Sequence, residues 1–453
     1  MNNTDVQEAI SRSVATFIDP EGLFRSKLEK KISGEYTGEI VIKIGVDPTR
    51  PDLHLGHAVI LRKLRQFQEM GCKVIFLVGD LTAQIGDPSG KTKVRPEVTQ
   101  AEIATNMKTY LDQVGKILRT DEKVFSWMAN SDWFTGVTDI VPPPTTKIEF
   151  EGKKVDPNSF VGKAIFYESS RVQKKLLNLP GTRSTSLINF LSVLRHITHS
   201  QLIARDLFQN RIKEGEELFM HEMMYPVLQG IDSAVIAQIY GSCDMEIGGT
   251  DQTFNMLMGR NVMKMSKLPE QAVMALEILP GLDGKEKMSK SLDNYIAIID
   301  EPSDMYGKVM SVPDSCILTY FKLATYTPLS EIEKMNIGKN PKDLKMRLAR
   351  EIVAIYHGDE ASQKALKNFT ETFSNKGVPE DVPILKSAPG PKLMDLLLSQ
   401  KIVESKSEWR RLVEEGAVTN ALTEEKITSA DATFEEEITL RVGKRRFIKI
   451  TLL

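Results

Sequence analysis

Residues 73–78, Lys-Val-Ile-Phe-Leu-Val, are almost wholly apolar with no polar alternation. That is the pattern of a strand covered on both faces, and it places the segment inside a parallel sheet. A β-branched run at 40–46 (Ile-Val-Ile-Lys-Ile-Gly-Val) precedes it. Between them lie a turn-like Asp47-Pro48-Thr49-Arg50-Pro51 and a helical period in Ile60, Leu61, Leu64, Phe67 and Gln68, closed by Gly71. Strand, helix and strand within about 40 residues predict a right-handed βαβ unit.

Similar alternation returns later: a helical stretch around 218–229, a short strand near 243–247, a helix from about Asp251 and a strand near 272–279. The fold class expected is α/β, a Rossmann-like parallel-sheet domain over 38–300 preceded by a helical segment at 1–37. Three consecutive prolines, Pro142 to Pro144, cannot continue a helix or a central strand, so 142–183 is expected to be an inserted surface excursion. From 301 to 380 the pattern turns helical, with Leu344, Met346, Leu348, Ile352, Ile355 and Tyr356. A proline-rich stretch at 375–391 reads as a linker. The region 384–453 combines two amphipathic helices, 393–398 and 407–414, with strand-like alternation, and is expected to be a small α+β domain. Its closing Arg-Val-Gly-Lys-Arg-Arg-Phe-Ile-Lys is a local basic patch.

That patch matters because the whole chain of 453 residues has a net charge of only −2. Bulk charge predicts no nucleic-acid partner, so any RNA site must be local. No run approaches the roughly 18 apolar residues of a membrane span, and the mixed-charge N-terminus does not resemble a secretory signal. A cytosolic protein is expected, with no membrane partner. Cys72, Cys243 and Cys316 are far apart and form no CxxC pair, which predicts reduced structural thiols rather than a disulfide framework or zinc site. The histidines carry no accompanying ligands at metal spacing either, and no resident metal is expected.

The first βα junction contains no GxGxxG, so hydride transfer with a dinucleotide loses its usual support. His54-Leu-Gly56-His57 stands there instead. Histidines at i and i+3 share one side of a helix start, where N–H groups and the positive dipole end attract phosphate, and Gly56 lets a flat base or a phosphate approach. The plainer reading is a helix cap and a core filler. A second candidate is the hydrophilic loop 281–291, ending Lys287-Met-Ser-Lys290-Ser291, whose lysines suit closure over a polyphosphate; alone it reads equally as a solvated loop. Gly86-Asp-Pro-Ser-Gly-Lys-Thr is one residue short of a P-loop, so that phosphate cradle is not expected.

The ordered pair His-Leu-Gly-His and Lys-Met-Ser-Lys-Ser resembles the two signatures of the class I aminoacyl-tRNA synthetases. With Asp47-Pro-Thr-Arg-Pro-Asp-Leu-His-Leu-Gly-His57, the Gly86–Lys91 loop, Tyr225-Pro-Val-Leu-Gln229-Gly-Ile-Asp232 and Gly248-Gly-Thr-Asp251-Gln252, it looks like the motif set of the bacterial tyrosyl-tRNA synthetases. The resemblance implies ATP, L-tyrosine and tRNA(Tyr) as partners, Mg2+ accompanying ATP, no organic cofactor and a homodimer. By it, Thr49, His54, His57, Lys287 and Lys290 are catalytic. Asp47, Gly56, Gly249, Asp251 and Ser291 join those histidines and lysines in binding ATP, with Asp251 accepting from the ribose. Asp87, Tyr225, Gln229 and Gln252 would form the tyrosine pocket, with Asp232 on the phenolic hydroxyl. The helical region would bind the anticodon and the C-terminal module RNA.

Two positions depart from that family's pattern. Lys43 stands where many members have tyrosine, and Glu246 where many have glutamine. The C-terminal module reads Asn420-Ala421 at its usual asparagine-glycine hairpin. Rival readings are a nucleotidylyltransferase, which shares the topology and an HxGH-type motif; an RNA-binding relative without catalysis, which should have damaged motifs; and a tryptophan-specific relative, against which Tyr225, Gln229 and Asp232 speak.

Overall fold

The computed structural model describes residues 3–89, 99–107, 109–134, 148–150, 153–155, 187–289, 292–371, 382–400, 402–423, 425–443 and 446–452. Two compact units divide the chain: Met1–Leu279 with Lys287–Asp293, and Pro280–Glu286 with Asn294–Leu453. Lys290, Ser291, Gly90 and Lys91 lie outside the described residues, as does most of the 142–183 insert.

In the first unit the strands are β1 (Val14–Ile18), β2 (Val41–Val46), β3 (Lys73–Val78), β4 (Phe125–Ala129), a small hairpin of β5 (Ile148–Phe150) and β6 (Lys153–Val155), β7 (Met245–Gly249) and β8 (Ala272–Leu276). The main sheet has the order β1-β8-β7-β2-β3-β4. Its five strands from β8 to β4 are parallel, because β2, β3 and β4 run outward on one side and β7 and β8 on the other. Counted along the chain this is the doubly wound order 3-2-1-4-5, whose switch point falls between β2 and β7. Ligands in such sheets bind in the crevice beyond the strand ends at that point.

The 1–37 segment, expected to be helical, corrects in one respect. Between helices Asn3–Ser11 and Leu23–Ser33 it contributes β1, which pairs antiparallel with β8 and covers that edge of the sheet. A five-residue strand flanked closely by helices leaves too little periodicity to separate from its neighbours.

The helix expected near 218–229 runs on as Met220–Tyr240. Gly230 does not end it: a Cβ there would sit 2.8 Å from Val262 Cγ2 and 3.1 Å from the Met258 carbonyl oxygen. Its glycine lets this helix press against the helix Thr253–Met265. Val227, Ile231, Ile236 and Ala237 pack with Val41, Ile75 and Leu77 of the sheet in one core, each large side chain contributing roughly 1.5–3 kcal/mol on burial.

The second unit begins with helices that include Pro302–Met310, Ile317–Ala324, Pro341–His357 and Asp359–Phe369. Of the expected period, Leu348 and Ile352 lie in the core together with Ala349 and Val353, while Leu344, Met346, Ile355 and Tyr356 are half-buried. Farther along, β9 (Ile384–Ser387), β10 (Val418–Asn420), β11 (Ile438–Val442) and β12 (Arg446–Leu452) form a sheet ordered β10-β11-β12-β9. Helices Leu393–Ser399 and Lys406–Glu414 close over a core around Trp409. Here the linker expectation is corrected: 384–387 lies within the proline-rich stretch yet pairs parallel with β12. All three cysteines are free and buried, and burial pushes the Cys72 and Cys243 thiols well above their ordinary range.

Candidate active site

A cavity of about 280 Å3 opens at the switch point, and every site residue expected from the sequence that falls among the described residues lines it. The sheet order explains why. Asp47 and Thr49 follow β2, Asp87 comes from the segment after β3, and Gly249, Asp251 and Gln252 follow β7. Tyr225, Gln229 and Asp232 are spaced i, i+4 and i+7 on the Met220–Tyr240 helix, which puts them on one face.

Of the histidine readings, the structure shows the helix cap, and His57 is half-buried rather than a core filler. His54 is the N-cap of the helix Leu55–Glu69; its Nδ1 accepts from the Gly56 amide (3.1 Å), and His57 Nδ1 accepts from the His54 amide (3.3 Å). A ring nitrogen that accepts a backbone N–H carries no proton, so in the neutral tautomer the remaining proton sits on Nε2. The cap thereby orients two donors, on rings 3.8 Å apart, at a helix N-terminus that favours anions. Gly56 is required by contact rather than by backbone angle, since a Cβ there would sit 2.9 Å from His54 Cε1. Gly56→Ala is therefore expected to tilt the His54 ring and, for the nucleotide that the motif resemblance implies, raise the KM for ATP about tenfold. An unaltered ATP KM would mean that the ring position is irrelevant to ATP.

Asp47, expected at the ATP, lines the cavity and also joins two elements. Its carboxylate accepts from Tyr225 Oη (2.9 Å) and Thr82 Oγ1 (2.9 Å), tying the end of β2 to the substrate helix. Asp251 Oδ2 is paired with Lys287 Nζ at 2.7 Å, which brings the lysine loop onto the β7 side of the cavity.

Asp87 accepts from the Ser89 amide (2.9 Å), Ser89 Oγ (2.7 Å), Gln252 Nε2 (2.7 Å) and Asn255 Nδ2 (3.4 Å). Behind it lies Arg205, buried between the rings of Phe208 and Phe254, donating to Ser89 Oγ. Asp232, at the far end, accepts from the Trp133 indole N–H (2.9 Å). Burial pushes its carboxyl up to about 7, an effect opposed by the Lys43 ammonium and by hydrogen bonds from Trp133 and Asn130, and reinforced by Glu246.

Asn255, Arg205, Asn130 and Trp133 escaped the sequence reading because none lies in a motif that marks chemistry. Trp133 meets Asp232 across 99 residues and Arg205 meets Ser89 across 116, and Asn255 reaches Gln229 and Asp87 across 26 and 168, contacts that only the fold reveals. Among the described residues no group of three His, Cys, Asp or Glu is arranged to hold a metal ion.

A parallel sheet of this order, with paired histidines and a lysine loop meeting over its switch point, is the arrangement of the class I aminoacyl-tRNA synthetases that the motifs resemble. Comparison narrows the class: residues 35–141 and 143–374 match the family model "tRNA synthetases class I (W and Y)", and the chain belongs to that family. It is 38% identical over 450 residues to the tyrosine–tRNA ligase of Moorella thermoacetica, covering 97% of this chain and 94% of that one. Identity to the tyrosine–tRNA ligase of Thermotoga maritima is 37% over 449 residues, with coverage of 98% and 96%. In fold it is similar to a C-terminally truncated mitochondrial tyrosyl-tRNA synthetase of Aspergillus nidulans (TM-score 0.58, 21% identity, 82% of this chain and 95% of that one). The tyrosyl-tRNA synthetase of Archaeoglobus fulgidus complexed with L-tyrosine is also similar (TM-score 0.53, 20% identity, 81% and 100%).

Proposed function

We propose that the chain is a tyrosine–tRNA ligase: it activates L-tyrosine with ATP and transfers the tyrosyl group to the 3′-terminal adenosine of tRNA(Tyr). One observation carries the reading. A single cavity has buried Asp232 at one end and the histidine-capped helix N-terminus with Lys287 at the other.

The tyrosine carboxylate oxygen attacks the α-phosphorus of ATP; the new O–P bond forms as the bond to the β-phosphate oxygen breaks, and pyrophosphate departs with the charge. The nucleophile is already an anion, so no base has to remove a proton. His54 and His57 donate from Nε2 to phosphate oxygens and Lys287 neutralises charge on the leaving group; Lys290 of the same loop joins it in this reading. Thr49 adds a hydroxyl, Gly249 leaves room for the nucleotide, and Asp251 accepts from the ribose. Asp87, Tyr225, Gln229 and Gln252 receive the substrate ammonium. Mg2+ enters as part of the MgATP substrate and needs no protein cage.

Asp232 supplies the choice of amino acid. Phenylalanine would bury this carboxylate with no donor opposite it, and for enzymes of this family that difference is worth about 10^5 without editing, a known value rather than one obtained from this pocket.

RNA binding falls to the second unit. On the outward face of its sheet Arg441 and Lys449 are exposed, whereas Arg446 is committed to Glu408 (2.8 Å) and so holds the module together. A homodimer belongs to the same proposal. No helix among the described residues is long and apolar enough to cross a membrane; a cytoplasmic location is part of the proposal.

ATP–pyrophosphate exchange tests the reading directly. Exchange should depend on tyrosine and be absent with phenylalanine or tryptophan. Exchange driven by tryptophan would overturn the role of Asp232, and none with any amino acid from folded protein would overturn the enzyme.

A further inference from the structure

The two positions that depart from the family pattern are neighbours. Lys43 and Glu246 are register partners across the β2–β7 ladder, so their side chains leave the same face of the sheet side by side. Lys43 Nζ and Glu246 Oε1 are 2.9 Å apart with both side chains inaccessible to solvent. The ammonium has three protons, and each has an acceptor: Glu246, Ser233 Oγ (2.9 Å) and the Gln229 carbonyl oxygen (2.9 Å). Glu246 in turn accepts from Gln229 Nε2 (2.9 Å), Ser233 Oγ (3.1 Å) and Gln271 Nε2 (2.6 Å). A buried ion pair is tolerated when its remaining hydrogen-bonding capacity is filled in this way, and losing either partner leaves an uncompensated charge.

Through Gln229 the pair reaches the substrate. Lys43 holds that residue by its main-chain carbonyl and Glu246 by its side-chain amide. Gln229 Oε1 accepts from Asn255 (3.2 Å), which also donates to Gln252 (3.1 Å) and Asp87. A continuous polar floor therefore runs from the Lys43–Glu246 pair to the amine end of the cavity. At the opposite end, the groups facing Asp232 are Lys43 from β2, Glu246 from β7, and Asn130 and Trp133 from the segment closing β4.

We propose that Lys43 and Glu246 act as one positioning unit for tyrosine recognition, orienting Gln229 and setting the electrostatic field at Asp232 where many members of the resembled family have an uncharged tyrosine and glutamine. The inference rests on Asp232 being the acceptor for the phenolic hydroxyl. Either charge alone is wrong for the pocket, while both together, or neither, leave it functional. Their effects on Asp232 are opposite in sign, the ammonium favouring its ionised form and the carboxylate disfavouring it.

The test measures KM for tyrosine in ATP–pyrophosphate exchange across pH 5.5–9 for the full-length wild type, Lys43→Met, Glu246→Gln and the double variant. Each single change should raise the tyrosine KM at least about tenfold with the ATP KM little altered, and the double variant should recover most of the loss. The pH below which tyrosine binding weakens should move upward in Lys43→Met and downward in Glu246→Gln. Merely structural damage would displace both in the same direction or neither, and would overturn the proposal. If a single variant fails to fold, the double variant decides: a tyrosine KM near the wild-type value supports the unit, and a loss as large as about tenfold overturns it. Absence of tyrosine-dependent exchange in the wild type would defeat the functional reading itself, and this inference with it.

Discussion

Replacing Asp232 by alanine should lower kcat/KM for tyrosine roughly 10^2- to 10^3-fold, because it removes a charged acceptor for the phenol and leaves buried donors unmatched. Those donors are the Trp133 indole, at 2.9 Å, and Asn130. ATP binding should survive, since the phosphate end of the cavity is built from other elements. The measurement is exchange kinetics with each substrate varied in turn. Loss confined to the tyrosine KM and kcat, with circular dichroism unchanged, is the expected result; an unimpaired variant would remove Asp232 from recognition.

The same residue is expected to make activity and stability trade against each other. Burial raises its folded-state pKa to about 7 from an unfolded value near 4. A raised carboxyl means that the folded protein binds the proton more tightly than the unfolded chain. Its contribution is thus fully present below pH about 4 and is lost as pH rises through about 7. Asp232→Asn keeps the shape without the charge, so it should have a higher Tm than wild type at pH 8, and the gap should close toward pH 4–5. In the wild type, discrimination against phenylalanine should narrow as pH falls through 7, because a protonated carboxyl is cheaper to bury without a partner. A Tm difference independent of pH would show that Asp232 is not held in its ionised form at a cost.

The sequence made the βαβ unit legible because β3 is apolar on both faces and Gly71 punctuates the helix before it. The site was legible wherever one short motif supplies a complete device, as with His54, Gly56 and His57, whose spacing alone implies a shared helix start. Less was visible where a device is assembled from strands distant in sequence. Lys43 and Glu246 read as two separate departures until the β2–β7 register set them side by side. The hydrogen bond from Tyr225 to Asp47, across 178 residues, was likewise out of reach of any motif. β1 and β9 were missed for a related reason: a strand of four or five residues owes its existence to the edge it pairs with, and that edge is nowhere in its own sequence.

Lys287→Ala should reduce kcat for exchange roughly 10^2- to 10^3-fold, the usual cost of removing one charge-stabilising donor from a transition state, with the tyrosine KM changed by less than about twofold. The geometry explains why this lysine is suited to the step. Its pair with Asp251 is short, at 2.7 Å, but the side chains remain 28% and 23% exposed. Pairs still open to solvent typically contribute on the order of 1 kcal/mol or less, so Asp251 steers the ammonium to the rim of the cavity without locking it there. Charge developing on departing pyrophosphate is a stronger partner than a solvated carboxylate, and the lysine can exchange one for the other at little cost. Asp251→Asn should accordingly leave kcat closer to wild type than Lys287→Ala does and act mainly on the KM for ATP, through the lost ribose contact. If both variants instead lowered kcat equally, the ion pair itself, rather than the lysine's transfer to phosphate, would be what catalysis requires.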